Sequence, residues 1–138
     1  MSTIEYREHR PDPQAYRELY ESTGWNEKYK ASAAELARAI ENSWYFVAAY
    51  DSDRLVGFGR VVSEGVLYAM IYDLIIDPPY QGRGIGAEIL HRLIVKCRSA
   101  GIRDVQLFSA RGKAGFYRKY GFEERPADAP GMRLKKNV

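Results

Sequence analysis

One stretch of this chain limits its fold more than any other. An apolar run from Val66 to Ile76 stops at Asp77, Pro78 and Pro79, passes through Gln81, Gly82, Arg83, Gly84, Ile85 and Gly86, and continues as a segment that closes at Ala100 and Gly101. The prolines cannot donate to a strand ladder, so they end the strand. Ile85, Ile89, Leu90, Leu93, Ile94 and Cys97 then recur along one side of a helix. A strand, a glycine-rich turn and a helix in that order predict a strand–helix–strand unit, parallel and right-handed once Val105–Phe108 supplies the next strand.

The same turn carries chemistry. The backbone N–H groups from Gly82 to Ala87 straddle the start of the helix, where four donors lack intrahelical partners and the macrodipole favours an anion. Gly82, Gly84 and Gly86 have no Cβ, so the backbone can approach phosphate oxygens closely, and Arg83 adds charge at the rim. A diphosphate fits such a cradle, although a plain strand-to-helix turn fits the glycines too. Two better-known phosphate patterns fail on spacing. A dinucleotide turn, G-x-G-x-x-G, needs glycine where Ile89 stands, and no G-x-x-x-x-G-K-[ST] sequence occurs.

Around this unit the chain divides into short elements. Ile4–Glu8 alternates as a strand, Asp12 and Pro13 cap and open a first helix, and Thr23 and Gly24 end it, leaving Trp25 in a loop. Ser32 and Glu35 form a capping box for a second helix whose buried face is Ala33, Leu36, Ala37 and Ile40. Trp44–Tyr50 and Leu55–Val62 flank a turn at Asp51, Ser52 and Asp53, which predicts a hairpin leading into the Val66–Ile76 strand. Lys113–Tyr120 is expected as a short helix, with Phe122–Glu124 and Arg133–Lys135 as the last strands. The expected fold class is α/β (α+β): a mixed, mostly antiparallel sheet of about seven strands flanked by four helices.

Composition sets the bounds of function. The chain has 138 residues, 46% of them apolar, enough for one domain (1–138) with its own core. Cys97 is the only cysteine, which excludes an internal disulfide and cysteine-built zinc sites and suits a reducing, cytoplasmic setting. His9 and His91 have no partners at metal spacing, and no G-x-S-x-G element points to covalent catalysis. The first ten residues are charged and no apolar run is long enough for a bilayer, so neither a signal peptide nor a membrane partner is expected. A net charge of +3 permits an anionic ligand but does not by itself argue for nucleic acid.

The run from Ile76 through Asp77, Pro78, Pro79, Tyr80 and Gln81 to Gly86 resembles the central motif of the GNAT superfamily of N-acetyltransferases, V-x-P-x-x-[QR]-G-x-G-[IV]-G. Further on, Phe116, Tyr117, Gly121 and Phe122 resemble the second signature of that family, F-Y-x-x-x-G-F, and the similarity spans Met70 to Glu124. The resemblance implies an acetyl-CoA-dependent N-acetyltransferase that passes the acetyl group directly to a primary amine of a small molecule or a protein, without a metal. It implies a bulged strand at Leu74, Ile75 and Ile76 that holds the pantetheine arm, a pyrophosphate cradle at Gln81, Gly82, Arg83, Gly84, Ile85, Gly86 and Ala87, and Tyr117 as the acid toward the departing thiolate. A phenol of pKa about 10 facing a thiolate of about 8.5 gives partial donation rather than full transfer, which would cost roughly 2 kcal/mol.

The amine must first lose a proton, at a cost of roughly 4 to 5 kcal/mol at neutral pH for a pKa of about 10.4. Asp73, Tyr72 and Glu64 are the candidates for a base, and Trp25 and the stretch from Arg125 to Met132 are candidates for the acceptor site. Ala110 stands where relatives commonly carry an asparagine, which keeps a second possibility open: an acyl-CoA-binding regulatory domain without catalysis. Arg111, Lys113, Arg118 and Lys119 read mainly as a solvated face. A homodimer is a further expectation from the resemblance.

Overall fold

The structure is a computed structural model and describes residues 3–136. It divides into two compact units, one ending at Gln106 and one beginning at Leu107.

The first unit is built on an open five-stranded sheet in the order β1 (Ile4–Arg7), β2 (Tyr45–Asp51), β3 (Arg54–Ser63), β4 (Tyr68–Ile76) and β5 (Asp104–Leu107). β1 to β4 pair antiparallel, with Tyr6 opposite Ala49, Ala48 opposite Phe58 and Phe58 opposite Ile75. The turn between β2 and β3 needs only Ser52 and Asp53, and Ser52 takes a positive φ of 52° to close it. One face of the sheet buries Ala48, Leu55, Phe58 and Ile75 against Tyr16, Leu19 and Tyr20 of α1 (Pro13–Glu21) and Leu36 and Ile40 of α3 (Ala33–Glu41). Both helices start as their caps dictate: Asp12 accepts from Ala15 N–H at 3.0 Å, and Ser32 and Glu35 complete the capping box.

The opposite face carries α4 (Ile85–Ser99), whose Ile85, Ile89, Leu90, Leu93 and Cys97 are buried. Glycines in β3 make this packing close. A Cβ at Gly59 would lie 2.8 Å from Ile89 Cγ2, and one at Gly57 would lie 3.1 Å from Ile89 Cδ1. The missing side chains therefore set how near α4, and with it the glycine turn, sits to the sheet.

A fifth helix departs from the four that the sequence predicts. α2 (Asn26–Tyr29) occupies the place assigned to a loop. Its cause is Asn26, buried at 5% exposure, whose side chain donates to Ala31 C=O at 3.0 Å and accepts from Ala31 N–H at 2.8 Å. That clamp closes the turn through Lys30 at φ 52° and satisfies a polar group that would be costly to bury alone.

The second unit holds α5 (Ala114–Arg118), closed by Gly121 at φ 92°. Tyr117 packs edge-on against Phe116 and Phe122, with ring centroids 5.2 and 6.0 Å apart. Phe122–Glu124 and Arg133–Lys135 are not strands, so the sheet has five strands rather than seven. Pro126, Pro130 and Gly131 interrupt the segment between them, Phe122 packs on Tyr117 of α5 rather than on a strand, and Leu134 is 81% exposed, so neither stretch is held in a ladder.

Candidate active site

The register of β3 and β4 places a bulge beside the glycine turn. Phe58 pairs with Ile75 and Arg60 with Tyr72, so β4 holds one more residue than β3 between these pairs. The extra residue falls at Asp73 and Leu74, and Asp73 adopts φ 56°, a left-handed conformation unusual for a residue with a Cβ. Arg60 donates from Nε to Asp73 Oδ2 at 2.7 Å and from Nη1 to Ser43 at 3.2 Å, with both members of the ion pair largely buried. β3 and the end of α3 thereby hold the bulged carboxylate in place.

Past the bulge, Ile75 packs into the core beneath α1 and α3, while Leu74 and Ile76 reach the α4 side, where their Cδ1 atoms neighbour Gly59 and Gly57. Ile75 is thus a core residue, whereas Leu74 and Ile76 are half-buried on the α4 side. β5 is four residues long and begins beside Leu67, whose carbonyl accepts from Asp104 N–H at 2.8 Å. It reaches only the first half of β4, well short of Leu74–Ile76.

The glycine turn follows directly. Asp77 N–H bonds Val56 C=O at 2.9 Å, a short 3₁₀ turn covers Pro78–Tyr80, and Gln81 Nε2 donates to Ile76 C=O at 3.0 Å, folding the loop back on its own strand. Gln81 thus shapes the loop through its side chain, a role its place in the motif did not disclose. Gly82 and Gly84 take φ 78° and 81°, and a Cβ on either would meet nothing within 4 Å, so the space above the turn is open. Gly84 is the N-cap of α4 and offers no side-chain acceptor. The first bond of that helix runs from Glu88 N–H to Gly84 C=O at 3.1 Å, leaving the N–H groups of Ile85, Gly86 and Ala87 ahead of it. A cradle of N–H donors at a positive helix end, with open space above it, is what a diphosphate requires.

Asp73, Tyr72 and Glu64, the three candidates for a base, differ in what they touch. Glu64 accepts from the N–H groups of Val66, Leu67 and Tyr68 at 3.1, 2.8 and 2.8 Å. These bonds, with that from Tyr68 foremost, hold its carboxyl below the usual carboxylate range. Its work is to shape the β3–β4 turn, and a carboxylate so stabilised makes a poor proton acceptor. Asp73 lies in the ion pair with Arg60, and its charge reaches Tyr16 and Tyr20, pushing their phenols further up after burial has done most of it. Tyr72 is 38% exposed, with the Arg60 guanidinium 5.5 Å from its ring centre. Trp25 stands edge-on to Tyr20 at 5.9 Å and is partly exposed.

Tyr117 belongs to the second unit. Burial pushes its phenol above the ordinary value, so it stays protonated through the neutral range. Arg118 pairs with Glu124, and Arg111, Lys113 and Lys119 are exposed, the solvated face anticipated for them.

A five-stranded sheet whose bulged fourth strand runs into an anion-receptive helix start defines a mixed α/β fold with a site for an anionic ligand. Residues 12–131 match the family model described as Acetyltransferase (GNAT) domain. An uncharacterised N-acetyltransferase, ycf52, of Porphyra purpurea is 34% identical over 119 residues, covering 83% of this chain and 67% of its own length. Serotonin N-acetyltransferase 2, chloroplastic, of Oryza sativa subsp. japonica is 31% identical over 125 residues, covering 88% of this chain and 61% of its own. The solved structure of a GNAT family acetyltransferase from Streptococcus pneumoniae TIGR4 superposes with a TM-score of 0.81 at 29% identity, covering 100% of both chains. The chain belongs to the GNAT family of acetyltransferases. Its activity is that of an N-acetyltransferase, with acetyl-CoA as the acetyl donor.

Proposed function

We propose that the donor lies along β4 and the start of α4, and that a primary amine attacks its thioester directly. Supporting this above all is the open space over Gly82 and Gly84 at an uncapped helix start. In this reading Gly82, Arg83, Gly84, Ile85, Gly86 and Ala87 take the pyrophosphate through backbone N–H groups, with Arg83 adding charge, while Gln81 shapes the loop, its own N–H being bonded to Pro78 C=O at 3.2 Å. The backbone of Leu74, Ile75 and Ile76, on the side that β5 does not reach, takes the pantetheine arm. Tyr117 donates a hydrogen bond toward the thiolate as it leaves, which its raised pKa favours over full proton transfer.

Asp73 or Tyr72 passes on the proton of the incoming ammonium, directly or through water, because Glu64 is committed to its turn by three backbone donors. The protein works as an enzyme in a reducing compartment such as the cytoplasm, consistent with its one cysteine, Cys97, being a buried free thiol. Its acceptor is a primary amine of a small molecule or a protein. The rice relative is named for serotonin, so aralkylamines stand beside polyamines, amino sugars and peptide amines in the decisive screen. Purified protein with acetyl-CoA should release thiol with at least one of these classes and yield the matching N-acetyl product. Tight binding of acetyl-CoA without thiol release across the whole panel would contradict direct transfer.

A further inference from the structure

Tyr80, immediately before the cradle, touches more of its surroundings than a loop residue needs to. Its hydroxyl donates to Asp51 at the end of β2, and its N–H bonds Asp77 C=O at 2.8 Å. Two guanidiniums share its ring: Arg83 of the glycine turn, 5.0 Å from the ring centre, and Arg54 at the start of β3, 5.5 Å from it. The two are not equivalent. Arg54 donates to Asp77 Oδ2 at 2.6 Å and is thereby neutralised, whereas Arg83 makes no ion pair among the described residues. One positive charge is compensated and the other is held over a ring, without an ion pair among the described residues, on the loop where the Cβ positions of Gly82 and Gly84 open onto free space.

We propose that Tyr80 is a positioning residue that orders Arg83 for the diphosphate of the donor, an inference that rests on the cofactor site proposed above. A free arginine on an exposed loop must lose side-chain entropy each time it meets a ligand. Stacking on a ring fixed by Asp51 removes part of that loss beforehand, and the stack leaves the planar donor edge of the guanidinium available to phosphate oxygens. The Arg54–Asp77 pair keeps the ring in place from the other side, because Asp77 also sits at the end of β4 against Val56. The hairpin turn between β2 and β3 thus serves the cradle, although it contributes no residue to the glycine motif.

The test is a mutant cycle read by calorimetric titration with CoA. Tyr80→Leu should weaken CoA binding by about tenfold, and Tyr80→Phe, which keeps the ring, should recover most of that loss. In an Arg83→Leu background, Tyr80→Leu should then cost little more, since it acts through the guanidinium that has been removed. An equal loss on both backgrounds, or no loss in Tyr80→Leu, would overturn the assignment. If Tyr80→Leu does not fold, Tyr80→Met takes its place in the same cycle: a loss of about tenfold that disappears on the Arg83→Leu background, with binding near wild type in Tyr80→Phe, supports a role for the ring. A loss in Tyr80→Phe as large as in Arg83→Leu refutes that role. Absence of CoA binding in the wild-type protein removes the cofactor site and this proposal together, an outcome distinct from binding that ignores Tyr80.

Discussion

At the residue scale, the site is made from groups whose ordinary properties have been moved by what they touch. Tyr117 is pushed up by burial, which keeps it protonated while making it a weaker acid, so the part proposed for it is a hydrogen bond to a developing thiolate rather than full proton transfer. Tyr117→Phe should leave the affinity for CoA unchanged and lower turnover by about 10² to 10⁴, as read from thiol release at saturating substrates. Turnover equal to wild type would remove the phenol from the reaction. Glu64 shows the reverse lesson, since a carboxylate near the site by sequence proves to be fastened by three backbone donors. Glu64→Gln should therefore leave turnover near that of wild type, whereas Asp73→Asn should lower it, as read from thiol release with saturating acetyl-CoA and amine.

At the element scale, close packing sets where the cradle stands. Gly59→Ala would force a Cβ to within 2.8 Å of Ile89, and overpacking of this kind costs about 1 to 3 kcal/mol, which urea denaturation would register as a lower midpoint with an unchanged slope. Asn26→Ala should cost a similar amount, about 1 to 3 kcal/mol, by leaving the Ala31 backbone unpaired. Most elements were legible in the sequence because they are locally specified: caps at Asp12 and Ser32, a turn at Ser52 and Asp53, prolines after Ile76. α2 was not legible, because a buried asparagine that clamps the backbone five residues ahead looks like loop composition. The strands expected at 122–124 and 133–135 had apolar residues but no partner, and pairing is a long-range property that no local pattern guarantees. The glycine turn and the start of α4 were legible because glycine spacing and helix initiation are local. The side-chain work of Gln81 and the Arg60–Asp73 pair was not, since both depend on folding distant segments together.

At the scale of the whole molecule, several tyrosines in the first unit tie stability to alkaline pH. Tyr20 is pushed up to about 12 by burial and then by the charge of Asp73, and Tyr45 to about 12 by burial and then by its hydrogen bond to Glu8. Tyr16 is raised as well. In the unfolded chain these phenols ionise near 10. Between about 10 and 12 the folded state thus holds more protons than the unfolded state, so stability is intact below pH 10 and falls as pH rises through 12. Urea midpoints measured from pH 8 to 12 should decline only above 10, and a flat profile would show that these phenols are not held in the fold. In the proposed site CoA is received by the N–H groups at the start of α4. Amide chemical shifts followed by NMR during titration with CoA test it directly. The largest shifts should fall at Gly82, Gly84, Ile85, Gly86 and Ala87, and saturating binding that leaves those amides unmoved while shifting others would rule this site out.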